Sequence, residues 1–279
     1  MNYYLREEEK VVLRALEARR GGPKVLILEG PPGTGKTALS QYLAERWKAK
    51  YFYYLCHHWT SDEELFVGVN VGRVAAGVER PQDAYEYGVL SKAALATQEG
   101  RAVLCLDELD KAPQRAESLL LDFLQHGRVV LPDGQIIQAV LGNITVVITT
   151  NGIRPLMEAT LRRGFRVQMQ FLPPHVEADV IRKRTGAPMG PIRTIVRMIN
   201  TIRERGATKP SLQEAINLAT DLQVAESAQD VEILIKGWLC KEPEDWQALV
   251  GACPNPGATL WGEWRRVRID VQETSKQIY

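Results

Sequence analysis

Residues 30–37 form a glycine-rich loop of the pattern G-x-x-x-x-G-K-[ST], and this motif constrains the fold more than any other part of the chain. An apolar run at residues 25–28 precedes the loop, and a helical stretch from about 36 to 47 follows it. Such a unit wraps a polyphosphate with backbone N–H groups and the helix N-terminus. A chance glycine turn lacks this context, so the sequence predicts a nucleoside triphosphate site. Its predicted binding residues are Gly30, Pro31, Pro32, Gly33, Thr34, Gly35, Lys36, Thr37 and Ala38.

A pair of carboxylates ends a second apolar run, at residues 103–106. Asp107 and Glu108 stand there in sequence. In phosphoryl transfer, Lys36 would reach the β- and γ-phosphates, while Thr37 would bind Mg²⁺ directly and Asp107 through its water shell. Glu108 would polarise the attacking water. A buried strand that ends in an acidic loop is the plain structural alternative, but the loop upstream favours catalysis.

Asn151 follows another apolar run, at residues 146–148. A polar amide at this strand end could orient the same water molecule. Because Asn151 precedes Gly152, a simple turn explains it equally well. The residues alone leave both interpretations open.

Strand-like and helix-like stretches alternate through the first 170 residues, which predicts an α/β fold with a parallel sheet covered on both faces. From Pro173 onward the strand signals disappear and helical patterns follow. We therefore predict a three-layer αβα sandwich of the P-loop NTPase type, with a five-stranded parallel sheet, followed by a small all-helical domain. The predicted strands are 25–28, 51–55, 102–106, 144–149 and 167–171, and the predicted helices between them include 84–98 and 113–125. The predicted domains are 1–172, with an N-terminal helix at 5–19, then 173–250, and a turn-rich tail at 251–279, which residues 254–257 set off as a linker.

Composition excludes several classes of protein. A formal net charge of +1 gives no general attraction to nucleic acid or anionic membrane. No apolar run approaches the length of a membrane span, and charged residues occur too early for a signal peptide. The four cysteines show no paired spacing, which predicts reduced thiols in a cytoplasmic protein. Cys56, His57 and His58 are adjacent, but neighbours on a strand end point in alternating directions and rarely share a metal.

In their order, the loop at 30–37, Asp107–Glu108, Thr149-Thr150-Asn151 and the segment 159–165 resemble an AAA+ ATPase. Two further segments resemble the MoxR branch and its relatives with dynein-type and McrB-type modules. Residues 60–68 resemble the threonine-plus-acidic stretch that precedes an insert in the second helix. Residues 129–137 resemble the hairpin before the sensor strand.

This resemblance implies ATP and Mg²⁺ as cofactors and a helical lid domain after the sheet. It implies that Asn151 is the sensor residue and that Arg162 or Arg163 acts as a finger on the ATP of a neighbouring subunit. We favour Arg163, although Gly164 interrupts the usual Arg-Phe order. The guanidinium would stabilise charge on the γ-phosphate oxygens. The finger implies a homo-oligomer, in most relatives a hexameric ring.

One position departs from the family pattern. Gln213 stands where a lid helix often carries a second sensor arginine, with Lys209 four residues before it. Glutamine cannot supply the cationic contact that arginine gives to a phosphate. The departure predicts slow turnover or weak coupling of the lid, unless Lys209 takes over.

The function implied is an ATPase that remodels a protein client in a MoxR-like manner, often together with a von Willebrand A domain partner. Residues 68–77 are equally consistent with a mobile client-binding loop and with a surface hairpin. The tail combines tryptophan with Arg265, Arg266 and Arg268, which suits docking better than nucleic-acid stacking. A nucleic-acid motor or loader of the restriction or phage type is the alternative function, and a nucleotide-gated scaffold with little turnover is the second alternative.

Overall fold

The computed structural model describes residues 3–19 and 21–276, without the side chains of residue 81 and residues 267–276. The strands that it describes belong to one large sheet and two small hairpins. They are β1 (Lys24–Glu29), β2 (Lys50–Leu55), β3 (Val67–Val69), β4 (Tyr85–Tyr87), β5 (Ala102–Asp107), β6 (Arg128–Val130), β7 (Ile136–Gln138), β8 (Ile144–Thr150) and β9 (Phe165–Gln168).

Helices connect these strands and make up the regular structure of the described residues after β9. Short 3₁₀ turns lie at Pro81–Ala84, Leu109–Lys111 and Leu222–Val224. The α-helices are α1 (Glu7–Ala18), α2 (Lys36–Trp47), α3 (Asp62–Leu65), α4 (Val71–Ala75), α5 (Val89–Ala96), α6 (Gln114–His126), α7 (Glu158–Leu161), α8 (Pro174–Thr185), α9 (Met189–Arg205), α10 (Leu212–Asp221), α11 (Ala228–Leu239), α12 (Pro243–Ala252) and α13 (Pro256–Lys276).

The large sheet has five strands in the order β2-β5-β8-β1-β9, and every pair is parallel. The predicted five-stranded parallel sheet is therefore confirmed. Parallel strands need helical crossovers, which cover both faces, so the central strands read as continuous apolar runs. β5 and β8 are buried along their whole length. This order places the carboxyl ends of β1, β5 and β8 side by side.

Alternate residues of the strands enter two different cores. On one face, Ile27, Leu104 and Ile148 pack with residues of α5 and α6. On the other face, Leu28 and Val147 pack with residues of α1 and α2. Successive side chains of a strand point to opposite faces, so one apolar run can supply both cores. The result is the predicted three-layer sandwich.

The contacts divide the chain into two units. The first unit comprises the chain up to Pro31 and the range Gly35–Met169. The second unit comprises Pro32–Thr34 and the chain from Gln170 onward. Apart from that short segment, the second unit is helical, and helices α8 to α13 enclose one core with fully buried Ile195, Leu218 and Leu260. The predicted domain boundaries after residues 172 and 250 remain predictions.

The end of the chain differs from the predicted turn-rich tail over 251–279. Helix α13 begins at Pro256, where proline is favoured because the N–H it lacks would have no partner in a first helical turn. A Cβ on Gly257 would lie 2.7 Å from the carbonyl oxygen of Ala228, so glycine allows α13 to approach α11 closely. The Pro-Gly pattern that suggested a linker is instead a helix start, and Trp264 joins the core of the second unit.

Another departure lies at 84–98, where the sequence predicts one helix. Tyr85–Tyr87 forms β4, which pairs antiparallel with β3, and helix α5 begins only at Val89. Gly88 separates the two elements, and its N–H donates to the carbonyl oxygen of Phe66 at 2.7 Å. The β3–β4 hairpin is thereby tied to the start of α5.

Gly88→Ala tests this close approach. A Cβ at Gly88 would lie 2.5 Å from both the carbonyl oxygen of Glu64 and the carbonyl carbon of Leu65, and main-chain atoms cannot move aside cheaply. We expect the free energy of unfolding to fall by about 1–3 kcal/mol in urea denaturation. Gly100→Ala is the control, because a Cβ at Gly100 meets nothing within 4 Å. Equal stability of the two variants would contradict the packing described here.

Candidate functional site

The phosphate-binding loop connects β1 to α2. Gly35 caps α2 with φ of 93° and without a side-chain cap, so glycine is needed for the backbone and the first N–H groups of α2 stay available to an anion. A side chain on Gly30 would collide with the main-chain oxygen of Met169. Free N–H groups at the start of a helix form an anion site. Gly30 and Gly35 thus have the backbone that such a site needs, and polyphosphate binding by the predicted loop residues stays a prediction.

Lys36 is the first residue of α2, and its side chain folds back over the loop. The ammonium donates to the carbonyl oxygens of Gly30 at 2.7 Å and of Pro31 at 2.9 Å. Burial lowers the pKa of Lys36, and the charge of Asp107 is the largest of the opposing effects. Neutral carbonyls are weaker partners for an ammonium than phosphate oxygens. A bound polyphosphate can therefore take over this cation.

The Asp107 carboxylate ends β5 and accepts hydrogen bonds from three hydroxyl groups. Thr37 approaches both of its oxygens, at 3.0 and 3.1 Å, and Thr149 donates to Oδ1 at 2.6 Å. Tyr53 donates to Oδ2 at 3.0 Å. Hydroxyl donors stabilise a buried carboxylate without neutralising it. These three contacts therefore satisfy the carboxylate oxygens without adding a positive charge.

This donor set fits magnesium. The ion prefers oxygen ligands and usually combines one or two protein groups with substrate phosphates and water. Thr37 and Asp107 offer such oxygens next to the phosphate loop, whereas the described residues contain no cluster of three or more His, Cys, Asp or Glu able to hold a metal alone. Thr37 and Asp107 would therefore hold the ion together with a nucleotide. When bound, magnesium would neutralise charge on the phosphates.

Glu108 and Asn151 lie at the ends of the neighbouring strands β5 and β8, and the structure brings them together. The Asn151 amide donates to Oε1 of Glu108 at 2.7 Å, and Lys111 contacts Oε2 at 2.5 Å. Glu108 has φ of 55°, a costly conformation for a non-glycine residue and one often found at functional sites. Gly152 also makes the turn that the sequence offered as the alternative, with φ of 80°. Asn151 thus combines the turn with a contact to Glu108.

Asp110 organises the loop that carries Asn151. It is buried, and its Oδ2 accepts the backbone N–H of Asn151 at 3.1 Å and of Ile153 at 2.9 Å. Its Oδ1 has no hydrogen-bond partner among the described residues. Two backbone donors on one carboxylate oxygen hold the loop in one conformation. Asp110 therefore sets the position from which Asn151 reaches Glu108.

The two candidate finger arginines follow α7 and have different surroundings. Arg163 donates to the carbonyl oxygen of Ala159 at 2.6 Å and to the side-chain oxygen of Gln125 at 2.7 Å. Arg162 contacts Glu158 and keeps 74% of its side chain exposed. Gly164 is explained by packing, because a Cβ there would lie 2.7 Å from Ile27. Of the two guanidinium groups, that of Arg162 is the more accessible.

Within the second unit, the candidate second-sensor residues both have local partners. Gln213 donates to Asn217 at 2.9 Å along the exposed face of α10, and the Lys209 ammonium contacts the carbonyl oxygen of Arg203. Relatives often carry an arginine at the position of Gln213. Among these contacts, no cation takes the place of that arginine. Its effect on turnover stays a prediction.

The tail tryptophans pack within the second unit. Trp264 is buried, Lys236 lies 4.3 Å from the centre of the Trp246 ring, and Arg265 lies 5.9 Å from that of Trp261. Arg266 pairs with Glu263, and Arg268 lies outside the described side chains. These contacts agree with docking on the protein itself, the interpretation that the sequence favours.

Sequence reasoning missed Tyr53, Lys111 and Asp110. Lys111 and Asp110 carry a local signal, because they follow Glu108 within three residues. Asp110 is a further acid so close to the pair that a role for it could have been expected. Tyr53 carries no such signal, because its partner Asp107 is 54 positions away on another strand. Only the pairing of β2 with β5 brings them together.

A glycine-rich loop between strand and helix, a metal-binding carboxylate and a water-positioning acid define the class of P-loop nucleotide hydrolases. The model of the AAA domain (dynein-related subfamily) matches residues 25–164, half of the chain. The chain belongs to this family and is an AAA+ ATPase. Comparison with curated proteins gives no significant match.

A solved structure supports the fold. A point mutant of Thermotoga maritima RuvB is 19% identical, with a TM-score of 0.50 over 86% of this chain and 66% of that one. The Thermotoga maritima RuvB Holliday junction branch migration motor is also 19% identical, with a TM-score of 0.49 over 86% and 65%. The chain therefore spans slightly less than two thirds of the length of these structures. No helix among the described residues has the length and apolar content needed to cross a membrane.

Asp110→Ala tests the support of the Asn151 loop. The change leaves two backbone N–H groups without their acceptor, so we expect a loss of about 1–3 kcal/mol in the free energy of unfolding and slower ATP hydrolysis. Asp110→Asn retains an oxygen acceptor and should keep more of both. Urea denaturation and steady-state turnover measure the two effects. An Asp110→Ala protein with unchanged hydrolysis would show that the loop does not depend on this carboxylate.

Proposed function

We propose that this AAA+ ATPase assembles into a homo-oligomeric ring, hydrolyses ATP with Mg²⁺, and remodels a protein client in the manner of the MoxR-like branch. The observation that carries the proposal is exposed apolar surface on the two small hairpins of the first unit. Val71 on α4 is 76% exposed, and Val74 is exposed beside it. Val130 and Ile136 pair directly across the β6–β7 hairpin, and both are exposed.

Exposed apolar side chains grouped on hairpins favour a protein as the client. Such groups mark protein contacts, whereas duplex nucleic acid is bound through clustered lysine and arginine. Arg73 is the basic residue of α4, and Arg128 in β6 is paired with Asp122. Residues 68–77 also form β3 and α4, not an irregular loop. Both hairpins therefore suit contact with a polypeptide.

In the proposed reaction, the chain's own groups bind the nucleotide and position a water molecule. Lys36 binds the phosphates, Thr37 and Asp107 hold the ion, and Glu108 accepts a proton from the attacking water. The contacts of Glu108 with Asn151 and Lys111 occupy both of its oxygens. Each carboxylate oxygen can accept a second hydrogen bond, so Glu108 can also contact the attacking water while it keeps these partners.

The proposed ring is required because the finger would act on the ATP of a neighbouring subunit. The proposal gives Arg162 the trans role, because its guanidinium is exposed while that of Arg163 is held by Gln125 and Ala159. A neighbouring subunit would complete each site. A hexamer, a cytoplasmic location and a von Willebrand A domain partner belong to the proposal through the family resemblance.

A nucleic-acid motor is the second candidate. Arg265 lies over Trp261, and Arg266 beside it is exposed, so one basic and aromatic face exists on α13. Burial of Trp264 reduces the stacking surface that this function would use. A nucleotide-gated scaffold with little turnover is the third candidate, consistent with Gln213.

The test of the proposed function is steady-state hydrolysis of ATP and GTP, with mass photometry of the same samples, with and without DNA. We expect ATP turnover that rises with ring formation and does not respond to DNA. Lys36→Ala should abolish nucleotide binding. Glu108→Gln should bind ATP but lose at least about 100-fold in turnover, because an amide is not a base.

Each other outcome selects a different function. Turnover that appears only with DNA supports the motor, and ATP-dependent assembly without turnover supports the scaffold. Normal hydrolysis by Glu108→Gln would remove this residue from the water-positioning role.

Mixed rings test the trans finger. Arg162→Ala subunits bind ATP but lack the finger, whereas Lys36→Ala subunits carry the finger without binding ATP. We expect mixtures to recover hydrolysis that neither variant shows alone. Arg166→Ala is the control, because Arg166 is also exposed and also pairs within its own chain, with Glu29, but has no assigned role in the finger. Recovery with Arg163→Ala instead of Arg162→Ala would transfer the role to Arg163, and no recovery in rings proven to be mixed would refute a trans finger.

A further inference from the structure

Tyr53 on β2 contacts the metal-binding carboxylate from the edge of the sheet. β2 is a terminal strand of the five-stranded sheet and pairs only with β5 within it. In the register of β2 and β5, Tyr53 pairs with Cys105 and Leu55 pairs with Asp107. These four side chains therefore lie on the same side of the sheet. The Tyr53 phenol crosses diagonally to donate to Oδ2 of Asp107 at 3.0 Å. No sequence motif assigns a role to this residue.

We propose that Tyr53 is a positioning residue for magnesium: its hydroxyl holds the Asp107 carboxylate in the orientation that binds the ion with ATP. The inference rests on the proposed Mg²⁺–ATP site. Thr37 contacts both oxygens of Asp107, and Thr149 contacts only Oδ1. Tyr53 adds a second contact to Oδ2, from the neighbouring strand β2. Without it the carboxylate gains freedom to rotate.

The chemistry of the phenol suits this task. A phenol carries one O–H donor and no charge, and that of Tyr53 donates to Oδ2 of Asp107. A neutral donor orients a carboxylate without competing for it as a cation does. Groups that hydrogen-bond to metal ligands typically change metal affinity by about 10- to 100-fold when they are removed.

Packing alone does not explain the contact. Tyr53 is 46% exposed, so its ring adds little to the core and removal of the hydroxyl leaves no buried cavity. Its strand neighbours have other partners: the Tyr51 hydroxyl meets Ser40 at 2.8 Å, and the Tyr54 hydroxyl donates to Glu64 at 2.8 Å. β2 therefore carries three tyrosines with hydrogen-bonded hydroxyls, of which Tyr53 alone reaches Asp107 in the described contacts.

The test compares Tyr53→Phe with Tyr51→Phe and Tyr54→Phe, which remove the same atom from the same strand. Binding of a fluorescent ATP analogue is measured as Mg²⁺ is titrated, and again in EDTA. We expect the Mg²⁺ concentration for half-maximal binding to rise about 10-fold in Tyr53→Phe only. Binding in EDTA should match wild type, because the contact acts on the metal ligand.

Three results would overturn the inference: a wild-type Mg²⁺ titration in Tyr53→Phe, an equal shift in Tyr51→Phe, or an equal loss with and without Mg²⁺. If the wild-type protein binds no nucleotide, the proposed function fails instead, which keeps the two failures distinct. Unfolding free energies measured without nucleotide test the contact itself, even if a variant is too unstable for binding measurements. In a double-mutant cycle of Tyr53→Phe with Asp107→Ala, the two changes in unfolding free energy should be non-additive, and additivity counts against the contact.

Discussion

The Asp107 carboxylate and its three hydroxyl donors form the interaction on which the rest of the site depends. Thr37 belongs to α2, Thr149 to β8 and Tyr53 to β2, so one buried charge connects the phosphate loop with three strands of the sheet. A buried carboxylate without donors would destabilise the fold, and one paired with a cation would lose its attraction for a metal. Hydroxyl donors satisfy the oxygens without adding a positive charge, which serves stability and the proposed metal binding together.

A parallel sheet explains why these groups meet. β1, β5 and β8 are adjacent and run in one direction, so their carboxyl ends place the phosphate loop, the acidic pair and Asn151 at one edge. Asp110 extends the same arrangement to the loop after β8, because its carboxylate accepts hydrogen bonds from two backbone N–H groups of that loop. The left-handed backbone of Glu108 is tolerated because Thr149, Asn151 and Lys111 all contact this residue.

The predictable part of this protein was encoded locally. The loop at 30–37, the apolar runs of the strands and the acidic pair depend on residues close in sequence, and each occupies its predicted element. Errors arose where packing overrides local signals. Pro256 and Gly257 read as a linker, yet they begin α13, because that helix gains a core through Leu260 and Trp264. Tyr85 and Tyr87 read as helix, yet they pair with β3, since sheet pairing is a non-local preference.

The sequence by itself determined the class of the protein, because phosphate binding and metal-assisted hydrolysis need particular residue types at short, fixed spacings. It also determined the three layers, since alternating apolar strands and amphipathic helices admit few arrangements. Only the tertiary structure decided which groups touch across the sheet: Tyr53 on Asp107, Asp110 beneath Asn151, and Gln125 on Arg163. These contacts join residues far apart in the chain, and their partners are set by strand order and register, which no local pattern records.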